Sequence, residues 1–131
     1  MAERILLVDD EECLRDIFSS MLESAGYEYQ TAASGVEALT LLRSGTGFDA
    51  ISSNLMMAEM DGFELLERVI VEFPAIPVMI VSTVVDPEVP LMARRKGAVD
   101  YLLLPCKRDE YLAMLRKALD THRGKGGPAQ G

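Results

Sequence analysis

Ile5-Leu6-Leu7-Val8-Asp9-Asp10-Glu11-Glu12 is an unbroken apolar run that ends in four carboxylates. Such a run fits a strand of a parallel sheet, covered by helices on both faces. Immediately after it, Leu14, Ile17, Phe18, Met21, Leu22 and Ala25 recur at helical spacing, and Gly26 supplies a stop. The order is strand, acidic turn, helix.

The same alternation repeats outward from that stretch. Tyr27 to Thr31 reads as a second strand. Ser34-Gly35-Val36-Glu37 is a capping pattern that opens a helix with Ala38, Leu41 and Leu42 inward. Phe48 to Ser53 is a third strand, and Asp61-Gly62-Phe63-Glu64 opens a third helix with Leu65, Leu66, Val69, Ile70 and Phe73 on its inner face. Val78 to Val81 is a fourth strand. Asp86 to Lys96 is a short helix that tolerates Pro87 and Pro90 only at or before its first turn. Ala98 to Leu103 is a fifth strand. Lys107 to Thr121 closes the series as an amphipathic helix with Tyr111, Leu115, Ala118 and Leu119 inward. Five strands alternating with five helices predict an α/β, doubly wound parallel sheet. Residues 1–123 form one domain, and residues 124–131 read as a flexible tail or the start of a linker.

Composition bounds the function. In 131 residues, 21 Asp and Glu face 13 Lys and Arg, a net charge of −8. That balance argues against direct binding of nucleic acid or of an anionic membrane. No stretch is long and apolar enough to span a bilayer, and the start lacks a signal-peptide pattern, so a cytoplasmic protein is expected. The charge is polarised: residues 1–72 carry 15 acidic and 4 basic side chains, and the remainder carries 6 and 9. Arg94-Arg95-Lys96, with Lys107, Arg108, Arg116 and Lys117, supplies a candidate basic contact patch. Cys13 and Cys106 form no metal pattern and read as free, buried or half-buried thiols. Met56, Met57 and Met60 read chiefly as gap fillers of the core, and His122 as exposed.

Ligands of such sheets bind at the carboxyl ends of the strands. Those ends deliver Asp9 and Asp10, Asn54, Ser82 and Thr83, and Leu104 and Pro105. The segments Ile5–Glu11, Asn54-Leu55-Met56-Met57-Ala58-Glu59-Met60-Asp61-Gly62 and Gly97-Ala98-Val99-Asp100-Tyr101 resemble the receiver domain of two-component response regulators, over about residues 3–121. The resemblance implies a flavodoxin-like (CheY-like) fold with sheet order 2-1-3-4-5. It also implies a pocket in which an Asp ending the third strand takes a phosphoryl group from a histidine kinase. By position, Asp9, Asp10 and the Met56 carbonyl match the Mg²⁺ ligands. Ser82 matches the switch hydroxyl and Tyr101 the switch aromatic, and the face of helix four, strand five and helix five matches the partner surface, for a histidine kinase or an output domain.

Three positions depart from that pattern. The phosphoacceptor position is Asn54, the position usually held by Lys is Leu104, and Ala58 replaces a usual proline. Asp and Lys together would give the pocket a formal charge of −2, and Asn54 with Leu104 gives −2 again. Unit charges about 4 Å apart interact by roughly 4 kcal/mol at an effective dielectric near 20, so losing one alone would matter and losing both is balanced. The sequence therefore predicts a signalling receiver that is not an enzyme, that holds Mg²⁺ weakly or not at all, and that acts as a protein-interaction module. The alternative is an ordinary phosphoacceptor whose Asp was replaced by Asn by design, which leaves Leu104 unexplained. A flavin or nucleotide binder of the same fold lacks support, since neither GxGxxG nor a P-loop is present.

Overall fold

The computed structural model describes residues 2–126, with side chains through residue 120. The elements are β1 (Arg4–Val8), α1 (Glu12–Ser24), β2 (Glu28–Ala32), α2 (Gly35–Arg43), β3 (Ala50–Asn54), α3 (Gly62–Glu72), β4 (Val78–Ser82), α4 (Glu88–Arg95), β5 (Asp100–Leu103) and α5 (Arg108–Gly126). All strand pairs are parallel, as the alternation predicts, and their order is the β2-β1-β3-β4-β5 that the resemblance implies. The side chain of His122 and residues 127–131 lie outside the described residues, and with them the exposure expected of His122 and most of the expected tail.

Strand alternation divides the core into two layers. Leu6, Val8, Ile51, Val78 and Ile80 meet α2, α3 and α4 through Leu39, Leu66 and Ala93. Ile5, Leu7, Ala50, Met79 and Val81 meet α1 and α5 through Phe18, Leu22, Tyr111 and Leu115. The two serines that make β3 less apolar are satisfied internally. Tyr111 Oη donates to Ser52 Oγ at 2.8 Å, and Ser53 Oγ donates to the Asn54 carbonyl at 3.0 Å. Burial holds the Tyr111 hydroxyl protonated and able to donate, and its ring stacks on Phe18 at 4.5 Å.

Local chemistry sets the helix starts. Ser34 Oγ accepts from the Glu37 N–H at 3.1 Å, and Asp61 with Glu64 forms a reciprocal capping box. Gly62 is obligatory: a Cβ there would stand 2.5 Å from the Asn54 carbonyl oxygen. The start of α3 is therefore pressed onto the backbone that ends β3.

Several positions differ from the sequence expectation. Ile17 and Ile70 are exposed, because the apolar stripes of α1 and α3 are wider than the sheet surface they cover. Leu39 is buried in α2 while Leu41 is half-buried at its flank. Ala98 belongs to the turn closing α4, where its N–H donates to the Ala93 carbonyl and Gly97 takes φ of +107°, so β5 begins at Asp100. Cys13 is exposed on α1, and Cys106 is half-buried.

Asp100 joins three elements. Its Oδ1 accepts from Arg94 of α4 at 2.7 Å and from the Tyr101 N–H at 2.8 Å, and its Oδ2 accepts from Lys117 of α5 at 2.8 Å. Burial raises the Asp100 pKa, but the Lys117, Tyr101 and Arg94 hydrogen bonds outweigh it and hold the carboxyl below its ordinary value. Both cations are more than half exposed, so screening limits the gain. Asp100→Asn is expected to cost about 1 kcal/mol at pH 7. A lowered folded pKa gives stability that is present above the unfolded value and lost as pH falls through the folded value. Urea unfolding of the two proteins at neutral pH and at successively lower pH should therefore show the difference shrinking into the acid range.

Candidate functional site

Strands β1, β3, β4 and β5 bring Asp9, Asn54, Ser82 and Leu104 to the same edge of the sheet, at or just beyond their carboxyl ends. Asp9 is 1% exposed. Its Oδ1 accepts from the Glu11 N–H at 2.9 Å and from Asn54 Nδ2 at 3.4 Å. Its Oδ2 is buried and accepts from no protein group among the described residues. Burial pushes the Asp9 pKa up, with Asp10 and Glu11 adding to it, and the Glu11 N–H and Asn54 opposing it. The acidic turn is thus both a cap-like turn at the start of α1 and a pocket floor.

Asn54 also donates through Nδ2 to the Met56 carbonyl at 3.2 Å. Asp10 is exposed, and its Oδ2 accepts from the Ala58 N–H at 3.3 Å. A proline at position 58 would have no N–H to donate. Glu59, next in the loop, takes φ of +66°, a left-handed conformation unusual for a side chain of this kind. Sequence reasoning did not single out the Ala58 N–H as a pocket group. It also missed Arg15, whose guanidinium donates to the Asp9 carbonyl oxygen at 2.7 Å and holds the turn from α1. Its place six residues beyond Asp9, one turn into the helix, was the available signal.

The donor set holds two carboxylates where the resemblance implies three for Mg²⁺. A divalent ion here would draw on Asp9, Asp10 and the Met56 carbonyl, but three of their oxygens already accept N–H groups from Asn54 and Ala58. Mg²⁺ takes near-octahedral oxygen ligands at about 2.0–2.1 Å, so Asn54 and Ala58 would have to share these oxygens with it. Among the described residues, no group of three or more His, Cys, Asp and Glu side chains is arranged to hold a metal.

Ser82 and Tyr101 converge on one residue. Ser82 Oγ accepts from the Val84 N–H at 3.1 Å, and Tyr101 Oη donates to the Val84 carbonyl at 2.7 Å. Tyr101 is buried, its ring packed in the α3–α4 layer. The turn between β4 and α4 is thereby clasped from both sides. Leu104 is 9% exposed and packs with the α1–α5 layer. It also lines an apolar groove of about 280 Å³ between α1 and the β5–α5 loop, beside Ile17, Met21 and Pro105. Met56 is 62% exposed at the pocket rim, unlike half-buried Met57 and Met60, which do pack on the core.

The basic patch expected from the second half is largely spent within the domain. Arg94 and Lys117 bind Asp100, Lys96 binds Glu67, and Arg116 binds Glu3 and Asp120. Lys96 also stands 5.7 Å from the centre of the Phe63 ring. Large apolar side chains are open instead in the β4–α4 turn and on α4 and β5: Val85, Leu91, Met92 and Leu103.

Because Asp9 is buried with its pKa raised, its charge costs stability at neutral pH. For a raised carboxyl pKa, stability is greatest below the unfolded value and is lost as pH rises through the folded value. Asp9→Asn should therefore stabilise the fold by about 1 kcal/mol at pH 7 and by less in acid, read from thermal or urea unfolding.

Residues 5–116 match the family model described as the response regulator receiver domain. The transcriptional regulatory protein ZraR of Escherichia coli K12 is 39% identical over 119 residues, covering 90% of this chain and 27% of that protein. The two-component response regulator ARR12 of Arabidopsis thaliana is 36% identical over 126 residues, covering 92% and 21%. The chain thus spans about a quarter of the length of the curated relatives it matches. Among solved structures, the chemotaxis protein CheY4 of Vibrio cholerae superposes with a TM-score of 0.85 at 32% identity, covering 91% of this chain and all of that one. NtrX of Brucella abortus superposes at 0.89 and 30% identity, covering 95% and 28%.

Proposed function

The chain belongs to the response regulator receiver domain family, and from that premise we propose that it is a receiver whose pocket does not accept phosphate and whose role is to bind protein partners. The Asn54 amide carries this reading. A carboxylate oxygen at the end of β3 could attack phosphorus; the Asn54 nitrogen has its lone pair delocalised and spends its N–H groups on Asp9 and Met56. It also brings no charge to draw in a divalent metal. Leu104 supports the same conclusion, since a buried hydrocarbon offers no counter-charge to a phosphoryl oxygen. Mg²⁺ binding is correspondingly weak or absent. A single Asp-to-Asn replacement by design would account for neither Leu104 nor Ala58.

Receiver domains work with histidine kinases and output domains. The α4–β5–α5 face is the surface we assign to such a partner here. Its open side chains are Leu91, Met92 and Leu103, with Val85 alongside, while most of its cations are paired internally. Contact there rests on apolar burial with a polar rim, more than on net positive charge.

Incubation with acetyl phosphate and Mg²⁺, followed by intact mass measurement, tests the proposal. The native chain should stay unmodified. Asn54→Asp should gain Mg²⁺ affinity with little stable adduct, and Asn54→Asp combined with Leu104→Lys should give the larger phosphorylated fraction. A stoichiometric, hydroxylamine-labile adduct on the native chain would overturn it.

A further inference from the structure

We propose that the apolar groove between α1 and the β5–α5 loop binds a small neutral molecule of one or two hydrocarbon-like rings. The proposal goes beyond the loss of phosphate chemistry and holds whether or not Asn54 can react. The groove walls are Leu14, Ile17 and Met21 of α1, with Leu104 and Pro105 beyond β5. The polar side-chain groups brought to it are the Thr83 hydroxyl and the Cys106 thiol. Among the described residues, no charged side chain lines it. The resemblance implies a Lys at position 104, and the Leu that stands there puts hydrocarbon where an ammonium would have been.

Size and charge choose the occupant. A cavity of about 150 Å³ lined by Leu, Ile and Phe takes benzene. This groove measures about 280 Å³, which leaves room for a second ring or a short alkyl chain. A stable protein interface draws on about 20–30 residues a side, and the groove is made by a handful of side chains from one helix face, one loop and one turn. It is therefore sized for a molecule and not for a protein surface. A charged ligand would give up hydration against these walls and find no counter-charge in return. A neutral apolar one gains by releasing water from side chains such as Ile17, which is 46% exposed. Met21 has the flexibility to follow the ligand's outline. Thr83 and Cys106 leave one or two polar contacts to orient it, a usual balance for a small-molecule site. Thr83 also joins Ser82 to Val84, so a bound molecule touches the turn that Ser82 and Tyr101 clasp.

The test is an NMR titration of the full chain with toluene, using benzoate and benzylammonium as charged rings of similar size. Toluene should give saturable shifts at the Ile17, Met21, Thr83 and Cys106 amides and at the Leu104 methyl groups. Benzoate and benzylammonium should bind at least about tenfold more weakly. At saturating toluene, iodoacetamide should alkylate Cys106 more slowly, with exposed Cys13 as the unchanged reference. Leu104→Lys should abolish the saturable response. Ile17→Ser, at a position open enough to be changed without unfolding the domain, should weaken it at least about threefold. Thr83→Val, which keeps the shape and removes the hydroxyl, should bind toluene as well as the native chain does. Shifts that rise without saturating, equal binding of the charged rings, or unchanged Cys106 alkylation at saturation would overturn the site. Shifts of the same amides with protein concentration alone would assign the groove to a second copy of the chain and overturn it as well.

Discussion

Asp9 is a carboxylate almost sealed from solvent, which demands donors from the protein around it, and one of its two oxygens finds them. It stands at the end of a strand buried on both faces, so neither sheet layer can offer it solvent. The Glu11 N–H, the Asn54 amide and the Arg15 contact to its carbonyl all follow from that demand. Gly62 is drawn into the same arrangement, because only a residue without a Cβ lets α3 begin against the Asn54 carbonyl. The pocket is thus a solution to the burial of one charge, built by the ends of two strands, the first turn of α1 and the loop after β3.

The parallel sheet is legible because its strands are written as short apolar runs and its helices as stripes. β1, β4 and the inner faces of α3 and α5 are cases in point. β3 is harder to read, since Ser52 and Ser53 look solvent-facing; their burial depends on Tyr111 and on the strand's own backbone, neither of which is near in sequence. Ile17 and Ile70 fit a helical stripe and yet face outward, because periodicity fixes a direction without fixing how far the sheet extends. Cys13, one residue before Leu14, lies off that stripe and is exposed.

At the site, the positions of Asp9, Asn54, Ser82, Tyr101 and Leu104 follow from motif order. What does not follow is which donors meet which acceptors. The Ala58 N–H illustrates this: substitution of a proline is visible as a side-chain change, but its effect is a backbone hydrogen bond to Asp10 from across the loop. Charge counting along the chain likewise finds seven cations in the second half that suggest a patch. Most of them are paired to Asp100, Glu67, Glu3 and Asp120, and those pairings depend on the packing of α3, α4, β5 and α5. Electrostatic steering by this face is therefore weaker than its composition suggests, and its open apolar side chains gain in weight.

The clasp on Val84 has an optical side. The chain contains no tryptophan and four tyrosines, so its near-ultraviolet signal is a tyrosine signal. Tyr111 is fixed in the core against Phe18 and Ser52, and contributes a constant background as long as the domain is folded. Tyr101 is different, because its hydroxyl is held by the carbonyl of a turn residue that Ser82 also grips. Any rearrangement of that turn changes the polarity and hydrogen bonding of a single phenol. The domain carries its own chromophore at the β4–α4 turn, and the spectrum of the unmodified protein can follow a movement there without a label.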